Sequence, residues 1–323
     1  MKAISVFSGG LDSMLSAELI RAQGIDVLAL FFETPFFTAD RAVMSARSMN
    51  LPFKVVDITQ RHLEVVKHPK HGYGGNMNPC IDCHALMFRI AGEMLDSEDA
   101  AFIFSGEVMG QRPMSQNKKA LALVAKESGL HGLLLRPLSA QCLSPTIPEI
   151  EGWVKRDQLL GIQGRSRKPQ MNLAAELSLG DYPSPAGGCL LTEKGFSRRL
   201  KDLLTSNPEV IVNHLESLKL GRHFRINDHV KIVVGRNKGE NEKLKKLAMK
   251  DDVILNTVSV PGPTVLMIGH SFDEAIDLAV QITLSYSDAQ EGEVQEVRVV
   301  GPGIERIASK TVPDKKDFKI FMI

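Results

Sequence analysis

The feature that most limits how this chain can fold lies near its start. An apolar run, Ala3-Ile4-Ser5-Val6-Phe7, stops at Ser8-Gly9-Gly10-Leu11-Asp12-Ser13. A short run without alternation is the pattern of a parallel strand buried on both faces. Beyond the glycines, Met14, Leu15, Leu19 and Ile20 recur at helical spacing until Gly24. The glycines therefore mark a strand-to-helix turn. Backbone amides can converge on an anion at such a turn, and the helix N-terminus adds partial positive charge.

The same alternation continues. Strands are expected at 3–7, 26–32, 53–58, 101–105 and 132–136, and helices at 12–23, 39–49, 84–95 and 115–128. This order predicts an α/β fold, a doubly wound parallel sheet with ligands beyond the carboxyl ends of its strands. The glycine loop and Ser105-Gly106-Glu107 would both lie there. Residues 68–79 and 161–190 read as irregular, and a basic helical segment follows Glu193 to about Thr205. From residue 206 the character changes. Short strands at 229–234, 253–255, 264–268, 294–300 and 318–322 surround a helix near 272–282. The expectation is a first domain at 1–205 and a smaller α+β module at 206–323. A length of 323 residues suits two domains of roughly 100–200 residues.

The longest apolar stretch, 27–32, falls far short of the ~20 residues of a membrane span, and the N-terminal run breaks too early for a signal peptide. A cytoplasmic protein with no membrane partner is expected. Its cysteines, Cys80, Cys83, Cys142 and Cys189, are then read as metal ligands or reactive thiols rather than disulfide staples. Cys142 is expected to pack in an apolar pocket. His68 and His71 are read as solvated loop residues.

Ser8-Gly9-Gly10-Leu11-Asp12-Ser13 has neither the Lys-Ser/Thr of a Walker loop nor the spacing of a dinucleotide fingerprint. Two glycines allow the backbone to fold tightly on a ligand, Ser8 and Ser13 offer hydroxyls, and Asp12 suits a Mg²⁺ ion. The hexapeptide resembles the SGGxDS signature of the N-type ATP pyrophosphatases, whose PP-loop holds the β- and γ-phosphates of ATP. The resemblance implies transfer of AMP to a carbonyl oxygen with release of pyrophosphate.

Asn76-Met77-Asn78-Pro79-Cys80-Ile81-Asp82-Cys83-His84 resembles the NPC-x-x-CN segment of tRNA 2-thiouridylases, with His84 where Asn is usual. There the second cysteine, here Cys83, is a catalytic thiol. Ser184-Pro185-Ala186-Gly187-Gly188-Cys189 resembles the segment with that family's persulfide-forming cysteine. Gly106-Glu107-Val108-Met109-Gly110-Gln111, with Ser115-Gln116 and Leu135-Arg136-Pro137-Leu138, is similar instead to tRNA 4-thiouridine synthases. Those carry a similar stretch near the nucleotide, which implicates Gly106 and Gln111 in cofactor binding. The THUMP domain that precedes the catalytic domain in those enzymes is not expected here, since the loop starts at residue 8.

Taken together these resemblances imply ATP-dependent thiolation of a tRNA uridine. Adenylation makes the carbonyl oxygen a leaving group, assisted by Asp12, Mg²⁺ and the loop amides. Sulfur arrives by one of two routes, from a cysteine desulfurase or from free sulfide. In one, Cys189 carries a persulfide and Cys83 attacks it. In the other, Cys80, Cys83 and Cys189 hold a [4Fe-4S] cluster with one open iron. The Cys-x-x-Cys spacing favours the cluster, because the persulfide route does not require Cys80. Structural zinc, completed by Cys142 or His84, is a further alternative.

Net charge is only +1, yet Lys219 to Lys250 holds ten Lys and Arg against Asp228, Glu240 and Glu242. Functionally that reads as a phosphate-tracking surface. Gly221-Arg222-His223-Phe224-Arg225-Ile226 and Val233-Val234-Gly235-Arg236-Asn237-Lys238-Gly239-Glu240-Asn241 resemble the RNA-binding module of NFACT proteins. Arg165, Arg167, Lys168, Arg198, Arg199 and Lys201 would extend the track. Few exposed aromatics are evident, with three Tyr and one Trp, so backbone and shape recognition is expected over base stacking. Two other functions fit parts of the pattern: adenylation of a small molecule by a zinc-bearing enzyme, and a non-catalytic RNA-binding protein on an ATP-binding scaffold.

Overall fold

A computed structural model describes the chain except for residues 181, 183–188, 208, 270 and 271. The segment 183–188, which carries most of the resemblance leading into Cys189, lies outside the described residues. The chain divides into two compact units, Met1–Thr192 and Glu193–Ile323. The sequence-based boundary at 205/206 thus shifts, and the basic helix after Glu193 joins the second unit.

The first unit contains β1 (Lys2–Val6), α1 (Leu11–Arg21), β2 (Asp26–Glu33), α2 (Asp40–Ser48), β3 (Phe53–Asp57), α3 (Thr59–Lys67), α4 (Cys80–Glu93), β4 (Phe102–Ser105), α5 (Lys118–Ser128), β5 (Leu134–Leu135), α6 (Ile147–Ile150) and α7 (Lys168–Glu176). The strands form a parallel sheet in the order β3-β2-β1-β4-β5. Successive side chains of a strand point to opposite faces. Ala3 and Phe7 accordingly join α1 and α2 in one core, through Met14, Ala17, Ile20, Ala42 and Ala46. Ile4 joins the other, with Leu86, Phe88 and Ile90 of α4 and Val124 of α5. Winding runs outward from β1 to β3 and then returns to β4 on the other side of β1. The switch point therefore lies between β1 and β4, and a crevice opens there.

The second unit contains α8 (Lys194–Ser206), α9 (Val212–Ser217), β6 (Arg222–Asn227), β7 (Val230–Val234), α10 (Lys238–Leu247), β8 (Val253–Thr257), β9 (Thr264–Gly269), α11 (Asp273–Ser285), β10 (Val294–Gly301) and β11 (Ile304–Thr311). Its sheet is antiparallel, in the order β11-β10-β8-β9-β7-β6. Ala275, Ile276, Ala279, Val280 and Ile282 of α11 bury one face. Leu244 of α10 packs on Val233 and Leu266 from the other. An α+β module is what the composition shift predicted. One expected strand is wrong: Lys315–Phe321 is a 3-10 helix, capped by Asp314, whose carboxylate accepts from the Lys316 amide. No helix among the described residues is long and apolar enough to cross a membrane.

Candidate active site

The loop after β1 and the start of α1 build the anion site. Gly9 has φ +72°, and a Cβ there would stand 2.6 Å from Ala42 Cα, so only glycine permits this approach to α2. Gly10 is the N-cap of α1 and has no side-chain cap; the Ser13 amide turns back to the Gly10 carbonyl at 3.0 Å, which leaves the Leu11 and Asp12 amides for a ligand. Ser13 Oγ donates to the Gly10 carbonyl at 2.7 Å, and Ser8 Oγ accepts from the Gly10 amide at 3.3 Å. The two serines hold the loop in shape. Leu11 is buried beneath it.

Gly106, just past β4, closes the crevice. A Cβ on it would lie 2.5 Å from the Ser13 nitrogen and 2.6 Å from the Asp12 carbonyl carbon. Gln111, five residues on in the same loop, donates from Nε2 to Asp12 Oδ2 at 2.9 Å. Asp12 Oδ1 is buried with no hydrogen-bond partner. A buried carboxylate oxygen of this kind suits a bound cation. The residues expected to hold ATP, Ser8 to Ser13 with Gly106 and Gln111, therefore share one end of the sheet.

The thiols gather beyond the same strand ends. Cys80 and Cys83 occupy the first turn of α4, earlier than the helix expected at 84–95. Cys189 follows from backbone ties. The Leu190 amide donates to the Phe36 carbonyl at 3.4 Å, and Asn76 Nδ2, in the loop before Cys80, donates to the Thr192 carbonyl at 2.7 Å. Burial pushes the Cys83 thiol well up, and Cys189, Cys80 and Asp82 push it further. Burial also raises Cys80 and Cys189, while Arg112 pulls both down. The three thiols thus lie within one another's fields. Arg112 adjoins Gln111 and is near enough to Cys80 and Cys189 to lower both thiols, so one loop bears on both the phosphate site and the thiols.

Among the described residues, no three His, Cys, Asp or Glu side chains converge as a single metal ion requires. Cys142 stands apart, its Sγ 3.2 Å from the Gly161 carbonyl, a polar contact rather than the apolar pocket expected. His71 is held in the loop instead of solvated, its amide donating to Asp82 Oδ2 at 2.9 Å.

Two parts of the site were not legible beforehand. His62 of α3 is fully buried, and its Nε2 lies 3.1 Å from Cys83 Sγ. Phe36 and Phe37 flank it, each with ring centroids 5.5 Å away. Burial lowers the His62 imidazole to about 4, so it is neutral beside the thiol. Its position follows from spacing, since Thr59, His62, Leu63 and Val66 form the buried face of α3. The second is Glu107, 6% exposed. It accepts from Arg136 Nε at 2.8 Å and pairs with His84 Nδ1 at 2.8 Å. Burial alone would raise this carboxyl, but Arg136 and His84 hold it down to about 2. His84, the departure from the usual Asn, thereby ties the cysteine helix to the loop after β4.

Residues 1–142 match the family model described as Thiamine biosynthesis protein (ThiI), and residues 221–320 the one described as NFACT protein RNA binding domain. Among curated proteins the chain is 29% identical over 130 residues to a tRNA-specific 2-thiouridylase MnmA of Karelsulcia muelleri, covering 36% of this chain and 34% of that protein. It is 24% identical over 181 residues to a probable tRNA sulfurtransferase of Anoxybacillus flavithermus, covering 46% and 44%. A solved 4-thiouridine synthetase–RNA complex with bound ATP shares 21% identity over 68% of this chain and 52% of its own, at a TM-score of 0.37. The chain spans less than half the length of the first curated relatives it matches. Its two resemblances, to thiouridine synthases and to the NFACT RNA-binding module, thus fall on separate stretches of the chain.

Proposed function

We propose that this chain thiolates a tRNA uridine at the expense of ATP. The observation that carries the proposal is one loop that bears on two chemistries: Gln111 donates to Asp12 at the anion site, and the charge of Arg112 beside it lowers the Cys80 and Cys189 thiols. The α1 N-terminus and the loop amides would receive the β- and γ-phosphates, and Asp12 Oδ1 would bind Mg²⁺. The uridine carbonyl oxygen attacks the α-phosphorus and pyrophosphate leaves. Sulfur then adds to the activated carbon and AMP departs with the former carbonyl oxygen. Thiolating relatives and the NFACT-type match support tRNA as the substrate.

The sulfur route is the finer question. The donor set fits a [4Fe-4S] cluster, because each thiolate would bind a different iron and need not converge on one point. When bound, such a cluster would supply an open iron for exogenous sulfide. Cys80, Cys83 and Cys189 would hold it, and His62, flanked by Phe36 and Phe37, would keep Cys83 oriented. The persulfide route uses Cys189 and Cys83 alone, with a cysteine desulfurase as donor. Aligned against a single zinc ion, the same residues fit poorly.

Pyrophosphate release, measured with and without tRNA, tests the reading. Wild type should release it only when tRNA is present, and Asp12→Ala should lose at least a hundredfold in rate while still binding tRNA. Undiminished release by that variant contradicts the phosphate-site assignment. Anaerobic purification with iron and sulfide assays separates the routes. About four irons per chain, lost in Cys80→Ser, would establish the cluster, whereas a metal-free active protein would establish the persulfide.

A further inference from the structure

The second unit contains a cavity of about 190 Å³ that none of the steps above uses. Ser206 of α8 and His214 and Ser217 of α9 line one side, and Arg225 and Lys231 of the β6–β7 hairpin the other. Lys231 is only 3% exposed. Lysine is seldom buried without a partner, and here Nζ donates to Asp202 Oδ2 at 3.1 Å. The same carboxylate accepts from Arg225 Nε at 2.9 Å and Nη2 at 2.8 Å. One carboxylate thus serves two cations, and a positive charge is left over. Asp228 also lines the cavity, but it is an exposed residue of the hairpin turn, where water screens it.

An ammonium has three donors, and Asp202 takes one. His214 Nδ1 is buried with no hydrogen-bond partner. Burial pulls the Lys231 ammonium down to about 8 even with Asp202 beside it, as expected of a cation whose charge is incompletely balanced. Excess charge away from water is unfavourable until an anion joins it. The cavity is large enough to take a tetrahedral oxyanion.

We propose that this cavity is an oxyanion site that takes a phosphate group of RNA, with Lys231, His214 and the Ser206 hydroxyl as donors. The source of the phosphate rests on the RNA reading of this unit; the pocket's preference for an oxyanion does not.

The test is calorimetric titration of the full chain with inorganic phosphate and, separately, with tRNA in the presence and absence of phosphate. Wild type should bind phosphate saturably, and phosphate should compete with tRNA. Lys231→Gln should weaken both by about tenfold or more, the loss of one charged hydrogen bond. Because Lys231 sits within the sheet, Ser206→Tyr provides a second variant, filling the cavity from α8 without disturbing the ion pairs. Phosphate that binds without competing, in variants with unchanged tRNA affinity, would make this a free-phosphate site and overturn the RNA source. Intact tRNA binding without saturable phosphate binding would overturn the site while leaving the RNA reading standing. Phosphate binding without tRNA binding would do the reverse.

Discussion

Glu107 shows how much a single buried carboxylate organises. It joins Arg136, which follows β5, to His84 on the cysteine helix. Its carboxyl lies near 2 when folded, against an ordinary value of 4.5. A carboxyl depressed by folding stabilises fully above its unfolded value, and the contribution fades as pH falls from about 4.5 toward 2. That shift corresponds to about 3 kcal/mol. Glu107→Gln should therefore lower stability at pH 7 by about 3 kcal/mol in urea unfolding, because Arg136 loses its buried counter-charge. The gap between variant and wild type should shrink as pH drops below 4.5; a constant gap would show that the ionised carboxylate is not what stabilises. At this scale the sequence disclosed the loop residues and the cysteines. It did not disclose His62 or the bridge from His84 to Glu107, because each partner is separated along the chain and only the fold makes them neighbours.

At the scale of elements, the crevice depends on two backbones meeting without side chains between them. Gly106 touches the first turn of α1, so Gly106→Ala must push α1 and β4 apart. Overpacking of this kind costs about 1–3 kcal/mol. The variant should melt earlier and bind ATP more weakly, and unchanged nucleotide affinity would mean that the crevice is not the nucleotide site. The parallel strands were legible because unbroken apolar runs between glycines have few other readings. α3 was not, because a buried histidine interrupts its apolar face. β11 was also hidden: Glu305, Arg306 and Lys310 stud it, and the last two pair with Asp273 and Asp277 of α11. Residues 318–322 looked like a strand on apolar content alone, but the Asp314 cap starts a 3-10 turn there.

For the whole molecule, the basic segment read as one continuous track is partly self-neutralised. Arg225 and Lys231 share Asp202, and Arg236 is paired with Glu240. The exposed edge of α10 adds Lys243, Lys245 and Lys246, of which Lys245 pairs with Glu242. Neutralising those three should weaken tRNA binding and flatten the salt dependence by about two to three units of slope. If affinity and slope are unaltered, RNA lies elsewhere on the molecule. The division into two units was visible in the change of character along the sequence. Its boundary was not, because the basic helix α8 packs with the second unit through buried faces.

The most direct measurement is nucleoside mass spectrometry of unmodified tRNA after incubation with the full chain, ATP, Mg²⁺ and either sulfide or a cysteine desulfurase with cysteine under anaerobic conditions. The account predicts one thiouridine per modified tRNA, accompanied by equimolar pyrophosphate and absent in Asp12→Ala and Cys83→Ser. Pyrophosphate release without a thiolated nucleoside, or thiolation that persists in both variants, would contradict it.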